Sequence, residues 1–249
     1  KKDKNLSKVV ITLNPDRTVK ENIRLIDKKS AMTMVEDHDM VKIVKEISAN
    51  QAKITETIVG KTDVKLVGDR AVVRTGESNL ADLLTDAMLW KTGADIALTN
   101  GGGIRSSIDV GDITRGEVIQ VLPFGNYVIV QELTGADVIA ALENGTAGYP
   151  SQHGAFSQVA GIKYSFDPSK PVGQRIVSVT MANGESIDKN KTYKVATNDF
   201  IAAGGDLYVM FKGKKVIGNY EGLDEILTAY IASGAKAKDG VDGRVKVIN

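Results

Sequence analysis

The hydrophobic pattern at the start of the chain is typical of two paired strands. Residues 9–13 form an apolar, largely β-branched run, residues 14–16 are Asn-Pro-Asp, and apolar positions resume over residues 19–26. Two such runs on either side of a turn predict a β-hairpin. Because a two-stranded hairpin is only marginally stable alone, we expect it to pack on the domain that follows or to be the edge of another domain.

The apolar spacing then changes to that of a helix. Over residues 37–59 apolar side chains recur every three or four positions, and Asp37 or Asp39 is placed to cap the start, with Gly60 at the end. We interpret this long, half-apolar helix as a connector between two domains. A helix that packs on a single core would show the same pattern.

Residues 60–249 mix helix and strand periods and predict one domain. One helix follows a cap at Ser78 and ends at Gly93, a second follows a cap at Thr134, and a third covers about residues 221–233. The predicted strands are residues 95–98, 127–133, 161–166, 174–182, 192–197 and 244–248. Since no regular βαβ period is present, we predict an α+β fold with a mixed sheet and flanking helices, preceded by the hairpin and the connector helix.

Composition and charge exclude several classes of function. The 249 residues are 42% hydrophobic and 25% charged, which is ordinary for a globular protein, and the net charge is +1. A charge so close to zero gives no electrostatic footprint for a nucleic acid polymer or an anionic membrane. No apolar run approaches the ~20 residues of a membrane span, and no signal peptide is recognisable. The chain starts with Lys1 rather than Met, which suggests a processed or excised piece.

The chain is short of catalytic groups. It has no cysteine, and its only histidines are His38, in an acidic helix start, and His153, in a loop; we expect both to be exposed. Metal-dependent hydrolysis needs several histidines and carboxylates that converge on the ion. The sequence also lacks a Gly-x-Ser-x-Gly nucleophile elbow and a Walker A loop. We therefore predict no catalytic residue and no metal site in this chain.

Three glycine-containing turns carry the side chains that suggest a ligand site. They are residues 100–105, 124–126 and 200–206. A glycine-rich loop is equally a flexible turn with a surface arginine, and one loop phenylalanine can simply cover the edge of a core. Two such rings, each followed by a polar residue, favour a slot that binds a flat ring. A carboxylate in the same place could accept hydrogen bonds from sugar hydroxyls, and arginines could bind phosphate or carbonyl groups. If these turns converge, they form a nucleoside or nucleotide pocket.

Four motifs give this interpretation a family context. Residues 74–80 (Arg-Thr-Gly-Glu-Ser-Asn-Leu), 100–105 (Asn-Gly-Gly-Gly-Ile-Arg), 122–126 (Leu-Pro-Phe-Gly-Asn) and 198–206 (Asn-Asp-Phe-Ile-Ala-Ala-Gly-Gly-Asp) occur in that order. With them the chain resembles the C-terminal, substrate-binding domain of the 5′-nucleotidase family, which includes bacterial UDP-sugar hydrolases and animal ecto-5′-nucleotidases. Ser78 stands where the family pattern suggests Thr or Cys, a departure that lies on a helix.

The resemblance implies a role for each matched side chain around the base and sugar. Phe124 and Phe200 would sandwich the base, and Asp206 would bind the ribose hydroxyls. Asn100 would contact the base, and Asn126 would read one of its edges.

On the other side of the ligand, the resemblance implies that Arg74 and Arg105 hold the ribose or the phosphate. Close approach of the ligand to the backbone would occur at five glycines: Gly101, Gly102, Gly103, Gly204 and Gly205.

The resemblance also implies how the parent protein is divided. Residues 1–36 would be the last strands of an upstream metallophosphoesterase domain, residues 37–59 the connector helix, and residues 60–249 the nucleotide-binding domain. In the family the upstream domain holds two divalent metal ions, and the joint permits a rotation that brings substrate to them. We therefore expect the parent to be a phosphoric ester hydrolase of the 5′-nucleotidase type that acts in nucleotide catabolism. We expect this chain alone to bind a nucleoside, without a cofactor and without hydrolysing a substrate.

Other functions fit the same sequence. The same domain occurs in 2′,3′-cyclic-nucleotide 2′-phosphodiesterase/3′-nucleotidases and in UDP-sugar hydrolases, and the position of the phosphate is selected jointly with the upstream domain. A non-catalytic surface binding module is an alternative of another class. The resemblance implies an extracellular, periplasmic or cell-surface location.

Overall fold

Two units make up the chain, one ending at residue 52 and the other starting at residue 53. The computed structural model describes residues 5–248. In the first unit, strands β1 (Asn5–Leu13) and β2 (Val19–Asp27) pair antiparallel, with Asn5 opposite Asp27. This confirms the predicted hairpin. A short helix, α1 (Lys28–Ala31), follows directly, because the Asp27 carboxylate accepts a hydrogen bond (2.7 Å) from the backbone N–H of Ser30.

Helix α2 (His38–Thr55) starts where the sequence predicts but ends earlier. The Asp37 carboxylate accepts from the backbone N–H of Met40 (2.9 Å), which confirms the predicted cap. The predicted end near residue 59 is wrong, because Ile58 starts strand β3 (Ile58–Thr62). Ile58 lies four positions after Ile54 and so continues the helical spacing, yet its backbone pairs with a distant strand.

The second unit contains the remaining elements. After β3, its strands are β4 (Ile96–Asn100), β5 (Gly111–Thr114), β6 (Tyr127–Thr134), β7 (Ser157–Ala160), β8 (Ile162–Phe166), β9 (Ile176–Met181), β10 (Thr192–Asn198), β11 (Val216–Gly222) and β12 (Val245–Val247). Its helices are α3 (Arg70–Val73), α4 (Asn79–Thr92), α5 (Arg115–Val121), α6 (Gly135–Thr146), α7 (Asp199–Ala202) and α8 (Leu223–Ala232). The sequence did not predict β3, β5, β7, β11, α3, α5 or α7.

The main sheet has the strand order β11-β6-β10-β4-β7. Strands β10 and β4 are parallel, whereas β6 runs antiparallel to both β10 and β11, and β7 runs antiparallel to β4. Smaller sheets pair β3 with β5 and order β12-β8-β9. The fold is therefore α+β with a mixed sheet, as predicted.

Alternate side chains of the main sheet contribute to two separate cores. On β4, Ala97 joins a core with residues of α4, α5 and α8, while Ile96 and Leu98 join a second core with residues of α6, β7 and β8. On β10, Ala196 and Val195 divide in the same way. The sheet is thus covered by helices on one face and by helix and further sheet on the other, which holds its strand ends in fixed positions.

Local capping signals set the main helices. Ser78 accepts from the backbone N–H of Ala81 (3.1 Å) at the start of α4, and Gly93 ends that helix with φ +62°, as predicted. Thr134 and Asp137 form a capping box at the start of α6, which confirms the predicted cap. Thr114 and Glu117 form an equivalent capping box at the start of α5, a helix that the sequence did not predict.

Candidate functional site

The three glycine-containing turns meet because of the strand directions in the main sheet. Asn100 is the last residue of β4, Asn198 is the last residue of β10, and Asn126 directly precedes β6. Since β10 runs parallel to β4 and antiparallel to β6, the ends of the first two strands and the start of the third lie at one edge. The register supports this, because Asn198 lies opposite Val128.

A cavity of about 420 Å³ opens at this edge, a size typical of small-molecule sites. Its walls are formed by nine residues: Arg74, Asn100, Gly102, Gly103, Phe124, Asn126, Gly154, Phe200 and Asp206. The structure therefore brings six of the seven predicted side chains to one cavity. Arg105 is not among the lining residues, and neither are Gly101, Gly204 and Gly205.

Both phenylalanine rings stay open to solvent in the cavity wall. Phe124 is 56% exposed and Phe200 is 43% exposed, although each belongs to an otherwise well-packed unit. The Phe200 ring lies on Gly205, where an added Cβ would come within 2.5 Å of ring atoms. The Arg105 guanidinium carbon lies 5.7 Å from the centre of the Phe124 ring, and its Nη1 donates to the Gly102 carbonyl (3.3 Å). Arg105 thus contacts the site through Phe124.

A chain of amides orients the acid of the site. Asn198 Nδ2 donates to Asn100 Oδ1 (3.1 Å), and Asn100 Nδ2 donates to Asp206 Oδ2 (2.8 Å). Asn198 and Asn100 are both buried, so the bond between them is protected from water. Most of the Asn100 amide is therefore engaged by protein groups, while no described residue donates to the other carboxylate oxygen, Asp206 Oδ1. The arrangement leaves that oxygen free to accept from a ligand.

The backbone at Asp206 takes a conformation that is uncommon for residues other than glycine. Asp206 has φ +48° and ψ +34°, and the next residue, Leu207, has φ +66°. Asn144 Nδ2 donates to the Asp206 carbonyl (3.0 Å) and so helps to hold this conformation. Left-handed residues other than glycine cost of order 1–3 kcal/mol each and are concentrated at ligand sites.

Arg74 is the buried cation of the cavity. It follows α3, is 9% exposed, and its Nε has no hydrogen-bond partner within residues 5–248. Burial lowers the pKa of Arg74, and so do the neighbouring charges of Arg70 and Arg105, while Asp206 opposes the shift. A buried guanidinium with unused donors and two cationic neighbours favours an anionic ligand. The sequence analysis missed Arg70, whose place one helical turn before Arg74 was the available signal.

The loop before β7 supports the glycine loop and contributes a residue to the cavity. Gly102 N–H donates to the Gly154 carbonyl (2.8 Å), and Gly101 N–H donates to the Phe156 carbonyl (2.8 Å). Gly101 leaves no room for a Cβ, which would collide with the Val73 carbonyl. The sequence analysis assigned no role to Gly154, because nothing near it in the sequence marks it.

The two histidines differ in their surroundings. His38 is exposed, as expected. The expectation for His153 is wrong: it is half-buried, its backbone N–H donates to the Arg74 carbonyl (3.2 Å), and its Nδ1 is buried without a partner in the described part of the chain. The reason is that its loop packs on the residues that follow α3.

The described residues offer no metal centre and no membrane span. Within residues 5–248, no group of three or more His, Asp or Glu side chains is placed to hold a metal ion. The helices in the same range are all too short or too polar to cross a bilayer.

Comparisons with known proteins find similarity over most of the chain. A sequence profile described as "5′-nucleotidase, C-terminal domain" matches residues 58–213. The chain is 45% identical over 200 residues to the trifunctional nucleotide phosphoesterase protein YfkN of Bacillus subtilis, covering 76% of this chain and 14% of that protein. It is 35% identical over 199 residues to protein UshA of Escherichia coli, covering 80% of this chain and 35% of that protein.

A solved structure is similar over almost the whole chain. The crystal structure of a 5′-nucleotidase precursor from Thermus thermophilus has a TM-score of 0.79 and 36% sequence identity. The similarity covers 99% of this chain and 50% of that one. The chain thus spans half or less of the length of each of these three proteins.

Proposed function

Since this chain belongs to the family of 5′-nucleotidase C-terminal domains, we propose that its cavity binds the nucleoside part of a nucleotide. The parent protein would then hydrolyse a phosphate ester of that nucleotide. The observation that carries the proposal is the pair of exposed rings, Phe124 and Phe200, on the wall that also holds Asp206 and Arg74. Stacking of a base on an aromatic side chain contributes ~1–3 kcal/mol, which gives a reason for leaving two rings uncovered.

The polar groups around the rings suit the rest of a nucleotide. The free oxygen of Asp206 would accept from the ribose hydroxyls, and Asn126 would meet an edge of the base. Arg74, with the positive field of Arg70 and Arg105, would hold the phosphate side of the ligand. The backbone of Gly102 and Gly103 would let the ligand approach closely.

The parent would supply the chemistry from another segment. We propose that residues 1–36, which contain the hairpin of β1 and β2, are the end of a metallophosphoesterase domain. Residues 37–59, which contain α2, would be the connector, and residues 60–249 the binding domain. The hairpin supports this, since one of its faces carries exposed apolar side chains that would suit contact with further sequence: Val9, Ile11, Leu13, Val19, Ile23 and Leu25.

A two-metal centre does not fit the residues of this chain, which has two histidines in unrelated places and no suitable cluster among residues 5–248. We therefore assign the two divalent metal ions to the upstream domain. Bound there, they would activate water and stabilise the leaving group. On the family resemblance alone, we place the parent outside the cell, in the periplasm or at the cell surface.

A wider substrate range is the second candidate for the parent. It is supported by the name of the Bacillus relative, a trifunctional nucleotide phosphoesterase. All of these substrates would offer a base to the two rings of the cavity. A 3′-nucleotide keeps one free ribose hydroxyl for Asp206, and a 2′,3′-cyclic nucleotide keeps none. Assays of the parent with 5′-AMP, 3′-AMP, 2′,3′-cyclic AMP and a UDP-sugar would separate these substrates.

The direct test is calorimetric titration of the chain with adenosine and AMP. Phe200→Ala should weaken adenosine binding by roughly tenfold, since one stacking surface is lost. Trp90→Ala is the matched control. Trp90 is also an exposed aromatic residue (51%) and packs on Tyr230, but neither residue lines the cavity. Equal affinity of Phe200→Ala and the unaltered chain would refute the base sandwich.

A further inference from the structure

Asn126 is one of two amide side chains in the cavity wall, the other being Asn100, and it has a partner on α7. Its Nδ2 donates to Asp199 Oδ1 at 2.6 Å, across a sequence separation of 73 residues. An ionised carboxylate only accepts hydrogen bonds, so the NH₂ end of the amide must point to Asp199. The Asn126 backbone is held as well, because its carbonyl accepts from the Leu223 N–H (2.8 Å).

This pairing decides which end of the amide is available to a ligand. The amide oxygen, Asn126 Oδ1, accepts no hydrogen bond from residues 5–248, and it is not one of the buried polar atoms without a partner. Rotation of the amide by 180° would bring this oxygen against the carboxylate of Asp199, where two acceptors would face each other. The cavity therefore presents an acceptor at this position.

We infer that Asp199 is a positioning residue that sets base specificity, by holding the Asn126 amide with its oxygen towards the ligand. The inference rests on the proposed nucleoside binding. It predicts selection for a base with an N–H donor at the matching edge, such as the 6-amino group of adenine. A 6-keto group there would place two acceptors together and leave both without a partner, which costs affinity.

The test compares adenosine with purine riboside, which lacks the 6-amino group, and with inosine, in which a 6-keto group replaces it and N1 carries a proton. Each ligand is titrated into the unaltered chain, into Asp199→Asn and into a control, Asp224→Asn. The control is matched because Asp224 also lies in the first turn of a helix, α8, but does not line the cavity. We expect the unaltered chain and Asp224→Asn to bind adenosine roughly tenfold more tightly than the other two ligands. An asparagine at position 199 can pair with either end of the amide, so the preference over inosine should fall to roughly threefold or less.

A second variant separates positioning from structure. Asn126→Ala should lose the same preference, and adding Asp199→Asn to it should change the preference no further. Thermal melting would show whether each variant is folded. If Asp199→Asn is not, Asp199→Ala, which removes the acceptor of the Asn126 amide, replaces it in the same comparison. A uniform loss of affinity for all three ligands in Asp199→Asn, or the absence of any preference in the unaltered chain, would overturn this inference while leaving nucleoside binding intact. A failure of the unaltered chain to bind any nucleoside would overturn the proposed function together with it.

Discussion

At the scale of single residues, the site is built from groups that protein neighbours have already oriented. The buried amides of Asn198 and Asn100 lead to Asp206, whose backbone is kept in a left-handed conformation and whose carbonyl accepts from Asn144. Because protein neighbours already hold these groups, little ordering remains to oppose binding. The same arrangement gives Asp206 one engaged oxygen and one available oxygen.

This asymmetry leads to a prediction for Asp206. Asp206→Asn keeps the size of the side chain but removes the charged acceptor for the ribose hydroxyls. Since a hydrogen bond to a charged group contributes ~1.5–3 kcal/mol, adenosine binding should weaken by roughly tenfold or more. Titration with 2′,3′-dideoxyadenosine is the control, and its affinity should change less than about threefold. Similar losses for both ligands would contradict the contact with the ribose.

At the scale of elements, a buried arginine joins the end of the chain to α4. Arg244 directly precedes β12, and its Nη2 contacts Asp86 (2.7 Å) and Asp242 (2.8 Å), while its Nε lies 3.4 Å from Asp82. The group lies on α4 and on the segment before β12, and none of its members lines the cavity. We therefore expect this cluster of charged side chains to affect the stability of the second unit.

The same cluster predicts how stability depends on pH. Burial raises the pKa of Asp82 from 3.8 to about 7, with Arg244 opposing the shift and Glu77 adding to it. Between these values the folded state keeps a proton that the unfolded state has released. The stability that protonated Asp82 contributes is thus complete below the lower value and is lost as the pH rises through about 7.

Asp82→Asn, which does not titrate, isolates this effect. We subtract the free energy of unfolding of the variant from that of the unaltered chain. This difference should decrease as the pH rises from about 5 to about 8. Its slope should be less than ~1.4 kcal/mol per pH unit, the limit for one proton. Urea unfolding at several pH values measures it, with Asp63→Asn as an exposed control. A difference that stays constant over this range would contradict the raised pKa.

At the scale of the whole molecule, binding and chemistry are predicted to lie in different parts of a longer protein. The chain spans half the length of the Thermus structure it resembles, and the described residues offer no cluster that could hold a metal ion. On the proposed function, this domain would contribute by positioning the substrate, which can account for a large share of a rate enhancement.

We therefore expect the isolated chain to bind AMP but to release no phosphate from it, with or without added Mn²⁺ or Zn²⁺. A colorimetric phosphate assay measures this, and a two-domain 5′-nucleotidase serves as the positive control. Phosphate release that depends on the added metal and stops with EDTA would show that the chain holds catalytic groups of its own.

The helix ends that the sequence predicted correctly are those fixed by local chemistry. Ser78, Gly93 and Thr134 set helix ends through bonds to backbone groups within a few residues, and these ends are where the pattern put them. The end of α2 was missed because Ile58 fits a helical spacing locally but pairs with β5. Pairing with a distant strand leaves no local mark in the sequence.

For the site, the amino-acid order was enough to identify the candidate side chains and, through four ordered motifs, the family to which they belong. Their convergence required the folded sheet, because it depends on β10 running parallel to β4 and antiparallel to β6. The burial of Arg74, the place of Gly154 in the wall and the bond between Asn126 and Asp199 also became visible only in three dimensions. These features join residues from separate parts of the chain, so they arise only when the sheet brings its strand ends together.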